Sequence, residues 1–252
     1  MLLENLTWPE VKKLKLANKV VVLPLGSFEQ HGPHLPLTTD TNIVTAVARG
    51  IERQRPDKIL SLPTLWPGHS THHLFFPGTL SVSQMPYIAM VCELCRSIVK
   101  FGAKKVFLLN GHGGNDVPVR AALRELKSEF PKAEFVFANY WSLAAKSIGQ
   151  VRESEPGGLG HACEMEASIM LHLCPDRVKL HLAKRDGPKH KDPYRKADML
   201  YGRPVYFVNE FHEVTKTGTI GHPDLATAEK GKKFLDGIVK DVTAFVDDFV
   251  KW

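Results

Sequence analysis

The fold is decided by residues 20–40, "VVVLPLGSFEQHGPHLPLTTD". The first six residues are apolar throughout and half of them are β-branched, which is typical of a strand buried on both faces of a sheet. The next fifteen contain two prolines and two glycines, so they cannot form one regular helix or one inner strand. The stretch therefore predicts a buried strand that ends in a rigid loop carrying Glu29, His31, His34 and Asp40.

Similar strands recur along the chain and alternate with amphipathic segments. Further buried strands are predicted in "KILSL" (58–62), "KVFLLN" (105–110) and "EFVFANY" (134–140). Apolar residues at helical spacing predict helices at about 41–55, 87–100, 163–173 and 225–250, and one that follows Asn115. This alternation predicts an α/β protein, a three-layer α/β/α sandwich with a mostly parallel central sheet, formed by residues 1–252 as a single domain. Such sheets place their sites at the carboxyl ends of the strands.

Length and composition indicate a soluble globular protein with one sizeable α/β domain or at most two small ones. The chain has 252 residues, of which 43% are hydrophobic and 24% charged. Its N-terminus has no apolar core like that of a signal peptide, and no apolar run approaches the roughly 20 residues that span a bilayer. We therefore expect a cytoplasmic protein with no membrane partner. Cys92 and Cys95 lie in an apolar helical segment and are predicted to be buried reduced thiols.

The positive charge of the chain does not by itself predict a nucleic-acid partner. The net charge is +6, with a local excess only in the loop around 180–196, "KLHLAKRDGPKHKDPYRK". No stacked-aromatic RNA motif accompanies that loop. A solvated basic loop is the favoured interpretation, and nucleic-acid binding is kept as a minor hypothesis.

Polar side chains fall at the ends of the predicted strands. Glu29 and His31 follow the first strand, and His112 follows the third within "NGHGGN" (110–115). Asp40 lies where the next helix should begin. Because the carboxyl ends of parallel strands converge on one crevice, we expect these four side chains to meet.

Each of these residues also has a purely structural interpretation. Asp40 could be the N-cap of the following helix, and Glu29 and His31 could belong to a solvated loop. His112 lies between glycines, so its loop is built for a tight turn or a close approach, or for binding an anion before a helix. The loop lacks the residues of a P-loop or a dinucleotide fingerprint.

A further polar segment is "GGLGHACEMEAS" (157–168), in which His161 precedes a predicted helix. Glu164 and Glu166 lie two residues apart in its early turns, so they cannot point the same way. Helical steps from Glu166 reach the apolar residues Ile169 and Met170. Glu166 is therefore predicted to face inward, and Glu164 to lie on the surface or near the helix dipole.

The inward carboxylates and imidazoles form a mixed donor set that suits Zn²⁺, Mn²⁺ or Fe²⁺. Its members are Glu29, His31, Asp40, His112 and Glu166. Because a carboxylate can bridge, two ions about 3.5 Å apart could share one aspartate. His161 would then act as a general acid or base. Ser27 lacks the Gly-x-Ser-x-Gly spacing of a nucleophile elbow.

These motifs resemble those of the creatininase (creatinine amidohydrolase) family. Residues 26–40 and "NGHGGN" are similar to its first two motifs, and "GHACEMEAS" to its third. "HHLFFPGTLS" (72–81) and "TGTIGHPDLATAEKG" (217–231) also resemble family segments, so the likeness covers nearly the whole chain.

The resemblance implies an α/β/α sandwich that holds two divalent metal ions (Zn, Mn or Fe) in a homo-oligomer, often a hexamer. It implies hydrolysis of a non-peptide C–N bond in a small molecule, such as a cyclic amide or a formamide, with a metal-bound hydroxide as the attacking group. By position, Glu29, His31, Asp40 and His112 match metal ligands, with Asp40 bridging. His161 matches the proton-transferring histidine, and Glu166 the acidic residue five positions later.

One position departs from the family pattern. In creatininases proper, a metal-binding glutamate follows the second-motif histidine by two residues, and here that position is Gly114. Glu166 is the candidate replacement, and the change argues against creatinine as substrate. The family also contains deformylases, a peptide-maturation protease and hydrolases of cyclic ketones. Hydrolysis of a ketone or lactone-like ring, or non-catalytic binding of a metal or sugar phosphate, therefore remains an alternative.

The remaining candidates surround the predicted site. His73, Trp141, Gly113 and Gly114 are predicted substrate contacts. Trp66, His69, His72 and Phe76 are further candidates near it. His34 is predicted to lie behind the ligands or on the surface.

Overall fold

The stretch 20–25 forms strand β1, which lies inside a parallel sheet. A computed structural model describes residues 1–188, 194–195, 198–202, 204–206 and 208–252. The strands of the sheet are β1 (Val20–Leu25), β2 (Ile59–Ser61), β3 (Lys105–Asn110) and β4 (Glu134–Asn139), in the order β2-β1-β3-β4. All three pairings are parallel, with Val22 beside Ser61 on one side and Phe107 on the other. Part of the basic 180–196 loop (189–193 and 196) lies outside the described residues.

The helices follow the predicted order, with additional short helices. They are α1 (Trp8–Lys13), α2 (Thr39–Gln54), α3 (Gln84–Lys100), α4 (Asp116–Glu129), α5 (Tyr140–Leu143), α6 (Ala145–Val151), α7 (Glu164–Leu173), α8 (Phe211–Val214) and α9 (Ala228–Phe249). A separate antiparallel pair joins β5 (Leu159–His161) to β6 (Ile220–Gly221). That pair and the helices α1, α5, α6 and α8 were not predicted, because they are too short to show a hydrophobic period.

The two faces of the sheet are buried in two separate cores. Val20 and Val22 of β1 face a core that also contains buried residues of α2, α7 and α9. Val21 and Leu23, on the opposite face, pack in a core with α3 and α4. Alternate residues of one strand thus enter different layers, and the predicted three-layer α/β/α sandwich is confirmed.

Strand β4 differs from the prediction of full burial. Apart from its exposed first residue, its residues are only half-buried, whereas β1 is buried throughout. The reason is its place in the sheet, since β4 is an edge strand with β3 as its only ladder partner among the described strands. An apolar composition does not distinguish an edge strand from a central one.

Helix α2 begins two residues earlier than predicted. Thr38 is its N-cap residue, so Asp40 lies inside the first turn and the N-cap interpretation of Asp40 is wrong. Helix α9 begins at Ala228, three residues later than predicted, where the Thr227 hydroxyl accepts a hydrogen bond from the Lys230 backbone amide. The preceding Pro223–Leu225 forms a separate 3₁₀ turn.

The cysteine prediction agrees with the structure, in which Cys92 and Cys95 are buried and unpaired on α3. Burial raises the pKa of Cys95 to about 12 and, with Glu125 nearby, that of Cys92 to about 11. Both thiols are therefore protonated and unreactive at neutral pH. Across the described part of the chain, no helix has the length and apolarity to cross a bilayer.

Candidate metal centre

The carboxyl ends of β1 and β3 bring the predicted ligands together. Glu29 and His31 lie in the loop after β1, and His112 follows β3, the neighbouring strand. The first turn of α2 places Asp40 against both loops, because the chain returns directly from the β1 loop into that helix. Glu166 reaches the same point from the first turn of α7.

Asp40 lies between two clusters of potential ligands. The first contains Glu29, Asp40 and His112, and the second His31, Asp40 and Glu166, with ligand atoms within 4.8 Å of one another in each. His112 Nδ1 lies 3.1 Å from Asp40 Oδ2 and 3.2 Å from Glu29 Oε1. His31 Nε2 lies 3.0 Å from Asp40 Oδ1 and 3.9 Å from Glu166 Oε1. The two oxygens of one carboxylate thus face different clusters.

The donor atoms suit a divalent cation better than they suit one another. All five side chains of the two clusters are buried. Glu29 Oε1 and Asp40 Oδ2 receive no hydrogen bond from any described residue. A buried oxygen without a partner costs about 1–3 kcal/mol, and more when it is charged. Imidazole nitrogens and carboxylate oxygens at these separations are what Zn²⁺, Mn²⁺ or Fe²⁺ would bind, so the residues fit the implied metals.

The protein groups alone hold protons where a cation would bind. Burial favours neutral His31, but the Asp40 carboxylate outweighs it and raises the pKa of His31 to about 9. Glu29 and Asp40 likewise raise the pKa of His112 well above its ordinary value, against the effect of burial. Burial, with the charge of Asp40, raises the pKa of Glu166 to about 7. Because ligands bind metals in their deprotonated form, metal binding here would release protons.

His161 lies at the edge of the clusters, at the end of β5. Its Nδ1 is 3.9 Å from Glu29 Oε1, and it forms a third possible ligand group with Glu29 and His31. Burial and the nearby His31 lower the pKa of His161 to about 3. The next residue, Ala162, has φ of +50°, a strained conformation for a residue with a side chain. Buried His34 bonds through Nε2 to the Ala162 carbonyl and supports this turn, so the surface alternative for His34 is wrong.

Glu164 is not on the surface, which corrects the prediction made for it. Its side chain is fully buried, and its carboxylate accepts hydrogen bonds from Lys230 Nζ at 2.8 Å and from the backbone amides of Glu153 and Ser154. The burying element is α9, which packs along α7 and carries Lys230. No local pattern in "EMEAS" reveals the contact with Lys230, which lies 66 residues later in the chain.

A cavity of about 510 Å³ opens onto the clusters. The predicted substrate contacts all line it: His73, Trp141, Gly113 and Gly114. His72 also lines the cavity, whereas Trp66, His69 and Phe76 are not among its described lining residues. His73 additionally approaches the metal ligands, with Nε2 3.2 Å from Glu29 Oε1.

The glycine at position 114 is required by its surroundings. A Cβ atom there would lie 2.2 Å from the His69 carbonyl oxygen, 2.4 Å from His112 Nε2 and 2.8 Å from His72 Cε1. No side chain, glutamate included, fits without moving the backbone. The 69–73 segment packs so closely against position 114 that only glycine fits there, which accounts for the departure from the family pattern.

Several residues of the site carry no signal in the sequence. Asn139, Asp198 and Phe211 line the cavity, and the Phe211 ring centroid lies 3.8 Å from that of His73. They come from β4, from the segment before α8 and from α8 itself, none of which contains a readable motif. Gln30 lies between the predicted ligands Glu29 and His31 in the sequence. Its polar side chain within a rigid loop was the one available indication that it belongs to the site.

Comparison with known proteins places this geometry in a family. The family model described as creatinine amidohydrolase matches residues 4–246. The chain belongs to the creatininase family. Membership confirms the predicted family and the prediction of an amidohydrolase-type enzyme.

Individual relatives span most of the chain. The mycofactocin precursor peptide peptidase of Mycobacterium ulcerans (strain Agy99) is 32% identical over 93% of this chain and 83% of its own length. The creatinine amidohydrolase of Pseudomonas putida is 27% identical over 94% of this chain and 93% of its own length. A solved structure described as creatininase with Mn superposes with a TM-score of 0.81 at 27% identity, over 98% of this chain and 97% of the other.

Proposed function

We propose that the protein is a divalent-metal-dependent hydrolase that cleaves a non-peptide C–N bond, in a cyclic amide or a formamide, of a small molecule. Two ions, Zn²⁺, Mn²⁺ or Fe²⁺, would be held by Glu29, His31, Asp40, His112 and Glu166. The observation that carries the proposal is the placement of Asp40, whose two oxygens face two separate buried ligand clusters. A shared carboxylate between two sites is typical of two-metal hydrolytic centres.

When bound, divalent ions supply Lewis acidity and lower the pKa of a coordinated water. The protein's own contribution is positioning and proton transfer. His161 is neutral, with Nδ1 directed at the clusters and Nε2 2.8 Å from the Gln30 carbonyl oxygen. It can therefore accept a proton at Nδ1 and deliver it to the leaving nitrogen. His72 and Trp141 form walls of the cavity that would contact the substrate.

The proposal is tested by metal content and by amide hydrolysis. Protein reconstituted with Zn²⁺ or Mn²⁺ is expected to hold up to two ions per chain and to hydrolyse a member of a panel of small cyclic amides and formamides. His161→Ala should lower the rate by roughly 10²–10⁴-fold, the contribution of a positioned acid or base. His172→Ala, at an exposed position of α7, is the matched control and should leave the rate unchanged. Less than one ion per chain after reconstitution, or an unaffected His161→Ala variant, would contradict the proposal.

A second candidate is cleavage of a short peptide. The mycofactocin precursor peptide peptidase is 32% identical over 93% of this chain, which favours a peptide bond as the alternative C–N bond. A cavity of about 510 Å³ can accept either a small ring or the end of a peptide. The same protein is therefore assayed with short peptides beside the amide panel, and the higher kcat/KM identifies the substrate class.

We further propose that residues 1–252 act as a single metallohydrolase domain in a cytoplasmic homo-oligomer, with a hexamer as the expected assembly. A small molecule is the expected partner, with neither nucleic acid nor membrane involved. Light scattering on protein eluting from a size-exclusion column measures the molar mass of the assembly. A monomer of 28.2 kDa would contradict it.

A further inference from the structure

Gln30 lies buried between His73 and His161, the two histidines that flank Glu29. Its side-chain nitrogen Nε2 is 2.9 Å from His73 Nδ1, 3.2 Å from His161 Nε2 and 3.1 Å from the Gly218 carbonyl oxygen. Its oxygen Oε1 is 2.9 Å from the Gly32 backbone nitrogen. One side chain thus contacts both imidazoles, and the hydrogen positions follow from the chemistry of these groups.

The orientation of the Gln30 amide is set by two backbone groups. The Gly32 N–H can only donate, so the atom facing it must be the amide oxygen. The Gly218 carbonyl can only accept, so the atom facing it must be the amide nitrogen. One of the two amide hydrogens is therefore directed to Gly218, and the other is left for a histidine.

The main chain of Gln30 sets the hydrogen of His161. His161 Nε2 lies 2.8 Å from the Gln30 carbonyl oxygen, which can only accept, so Nε2 carries the hydrogen. In the neutral ring, Nδ1 then carries no hydrogen and is bare in that sense. This atom lies 3.9 Å from Glu29 Oε1. Because Nε2 is already a donor, it cannot accept from the Gln30 amide.

The side chain of Gln30 sets the hydrogen of His73, in this case by donating to the other ring nitrogen. Its remaining amide hydrogen is directed to His73 Nδ1, which must accept and is therefore bare. In the neutral ring, the hydrogen then lies on Nε2, 3.2 Å from Glu29 Oε1. The nitrogen nearest Glu29 Oε1 is thus bare in His161 and protonated in His73, and neither forms a hydrogen bond to that oxygen.

We propose that Gln30 is a positioning residue that fixes His161 and His73 in the same Nε2–H tautomer, through its carbonyl and its side-chain amide respectively, so that His161 turns a bare nitrogen toward Glu29 and His73 a protonated one. The consequence for catalysis rests on the proposed function: His161 Nδ1 is free to take a proton, and the His73 Nε2–H lies 3.2 Å from Glu29 Oε1, close enough to orient that proposed ligand without a formed hydrogen bond. Partners of this kind behind a ligand typically change metal affinity by 10–100-fold.

The loop that faces Gln30 is itself held in place. Gly218 has φ of +82°, and a Cβ atom there would lie within the Gln30 amide. The Asp186 carboxylate anchors this turn through hydrogen bonds from the Thr217 backbone and hydroxyl and from the Thr215 hydroxyl. The amide of Gln30 therefore rests against a fixed acceptor and not a mobile loop.

The proposal is tested by solid-state ¹⁵N NMR of histidine-labelled protein at pH 8, in Zn²⁺-loaded and chelator-treated forms, because ¹⁵N shifts distinguish protonated from bare ring nitrogens. His73→Asn and His161→Asn assign the signals. In the unmodified protein, we expect Nδ1 to be bare and Nε2 to be protonated in both His73 and His161, each held so by a different group of Gln30.

The variants separate those two groups. Gln30→Met removes the amide donor, so His73 should become a mixture of tautomers, and Gln30→Glu presents an acceptor, so His73 Nδ1 should become protonated. His161 should keep its Nε2 hydrogen in both variants, because the backbone carbonyl remains. Gln30→Met should also weaken Zn²⁺ binding by roughly 10–100-fold in chelator competition, whereas Gln150→Met, at an exposed glutamine, should not.

Three results would overturn the proposal: a protonated His73 Nδ1 in the unmodified protein, a His73 signal unaffected by both variants, or His161 changing together with His73. The measurement involves no turnover. If the protein is inactive but shows the expected ¹⁵N signals, the proposed hydrolase function is refuted and the positioning role of Gln30 stands. If the protein is active but His73 or His161 shows another tautomer, the hydrolase function stands and the positioning role is refuted.

Discussion

Glu164 and Glu166 lie two residues apart in the first turn of α7, and the protein surrounds their carboxylates in opposite ways. Glu164 is met by the Lys230 ammonium at 2.8 Å and by two backbone amides, which together hold its pKa below the ordinary value in spite of burial. Glu166 receives one backbone amide, from Cys163, and burial raises its pKa to about 7.

The protein's own groups compensate the charge of Glu164 fully, whereas they compensate that of Glu166 only in part. The region around Glu164 is a complete buried ion pair between α7 and α9. The region around Glu166 contains the Asp40 carboxylate, which it shares with the neighbouring cluster of Glu29 and His112, and one oxygen each of Asp40 and Glu29 has no hydrogen-bond partner among the described residues. Of two acidic residues in one turn, the one with fewer protein partners is the candidate for function.

The largest effect on stability is expected from Lys230→Met. Removing the ammonium leaves the Glu164 carboxylate buried without its counter-charge, although the two backbone amides remain, and should lower the free energy of unfolding by about 3–5 kcal/mol. Urea unfolding of metal-free protein measures it. Lys232→Met on the same helix is the control, because the Lys232–Asp236 pair is exposed and should contribute less than about 1 kcal/mol. Equal effects of the two substitutions would mean that the Glu164 pair is not the compensated charge we describe.

The next effect separates the two regions by their response to metal. At a free Zn²⁺ concentration of 100 times Kd, the unmodified protein should gain about 2.7 kcal/mol of stability. Asp40→Asn should abolish that gain, because both ligand clusters share this carboxylate. Glu164→Gln should keep the gain while lowering the baseline stability. If Glu164→Gln removed the metal response and Asp40→Asn preserved it, the roles of the two regions would be reversed.

The layers of the fold could be predicted from the sequence because each depends on a local period. The apolar runs at 20–25 and 105–110 and the helical stripes define the sandwich, and the polar residues after those strands had to converge. The inward direction of Glu166 followed from its helical spacing to Ile169 and Met170. The metal-binding roles of these residues stay predictions, since they depend on an ion.

The remainder could not be predicted because it depends on contacts between distant segments. Glu164 looks exposed until α9 brings Lys230 against it, and the half-exposure of β4 depends on its edge position. Phe211 enters the site from a four-residue helix with no period to detect. Gln30 lies beside the predicted ligands in the sequence, but the orientation of its amide depends on a hydrogen bond to the Gly218 carbonyl, 188 residues away in the chain.

The smallest effect tests how closely the cluster region is packed compared with the Glu164 pair. Gly114→Ala would bring a Cβ atom within 2.2 Å of the His69 carbonyl and 2.4 Å of His112 Nε2. We expect a loss of about 1–3 kcal/mol in the free energy of unfolding, as for other overpacked sites, together with weaker Zn²⁺ binding through the displaced His112. Gly113→Ala is the matched control, since its Cβ would have no neighbour within 4 Å and should change stability by less than about 0.5 kcal/mol. Thermal unfolding with and without Zn²⁺ measures both quantities. If Gly114→Ala proved as mild as Gly113→Ala, the loop around His112 would be deformable. The predicted ligands would then not be held as rigidly as the Lys230–Glu164 pair.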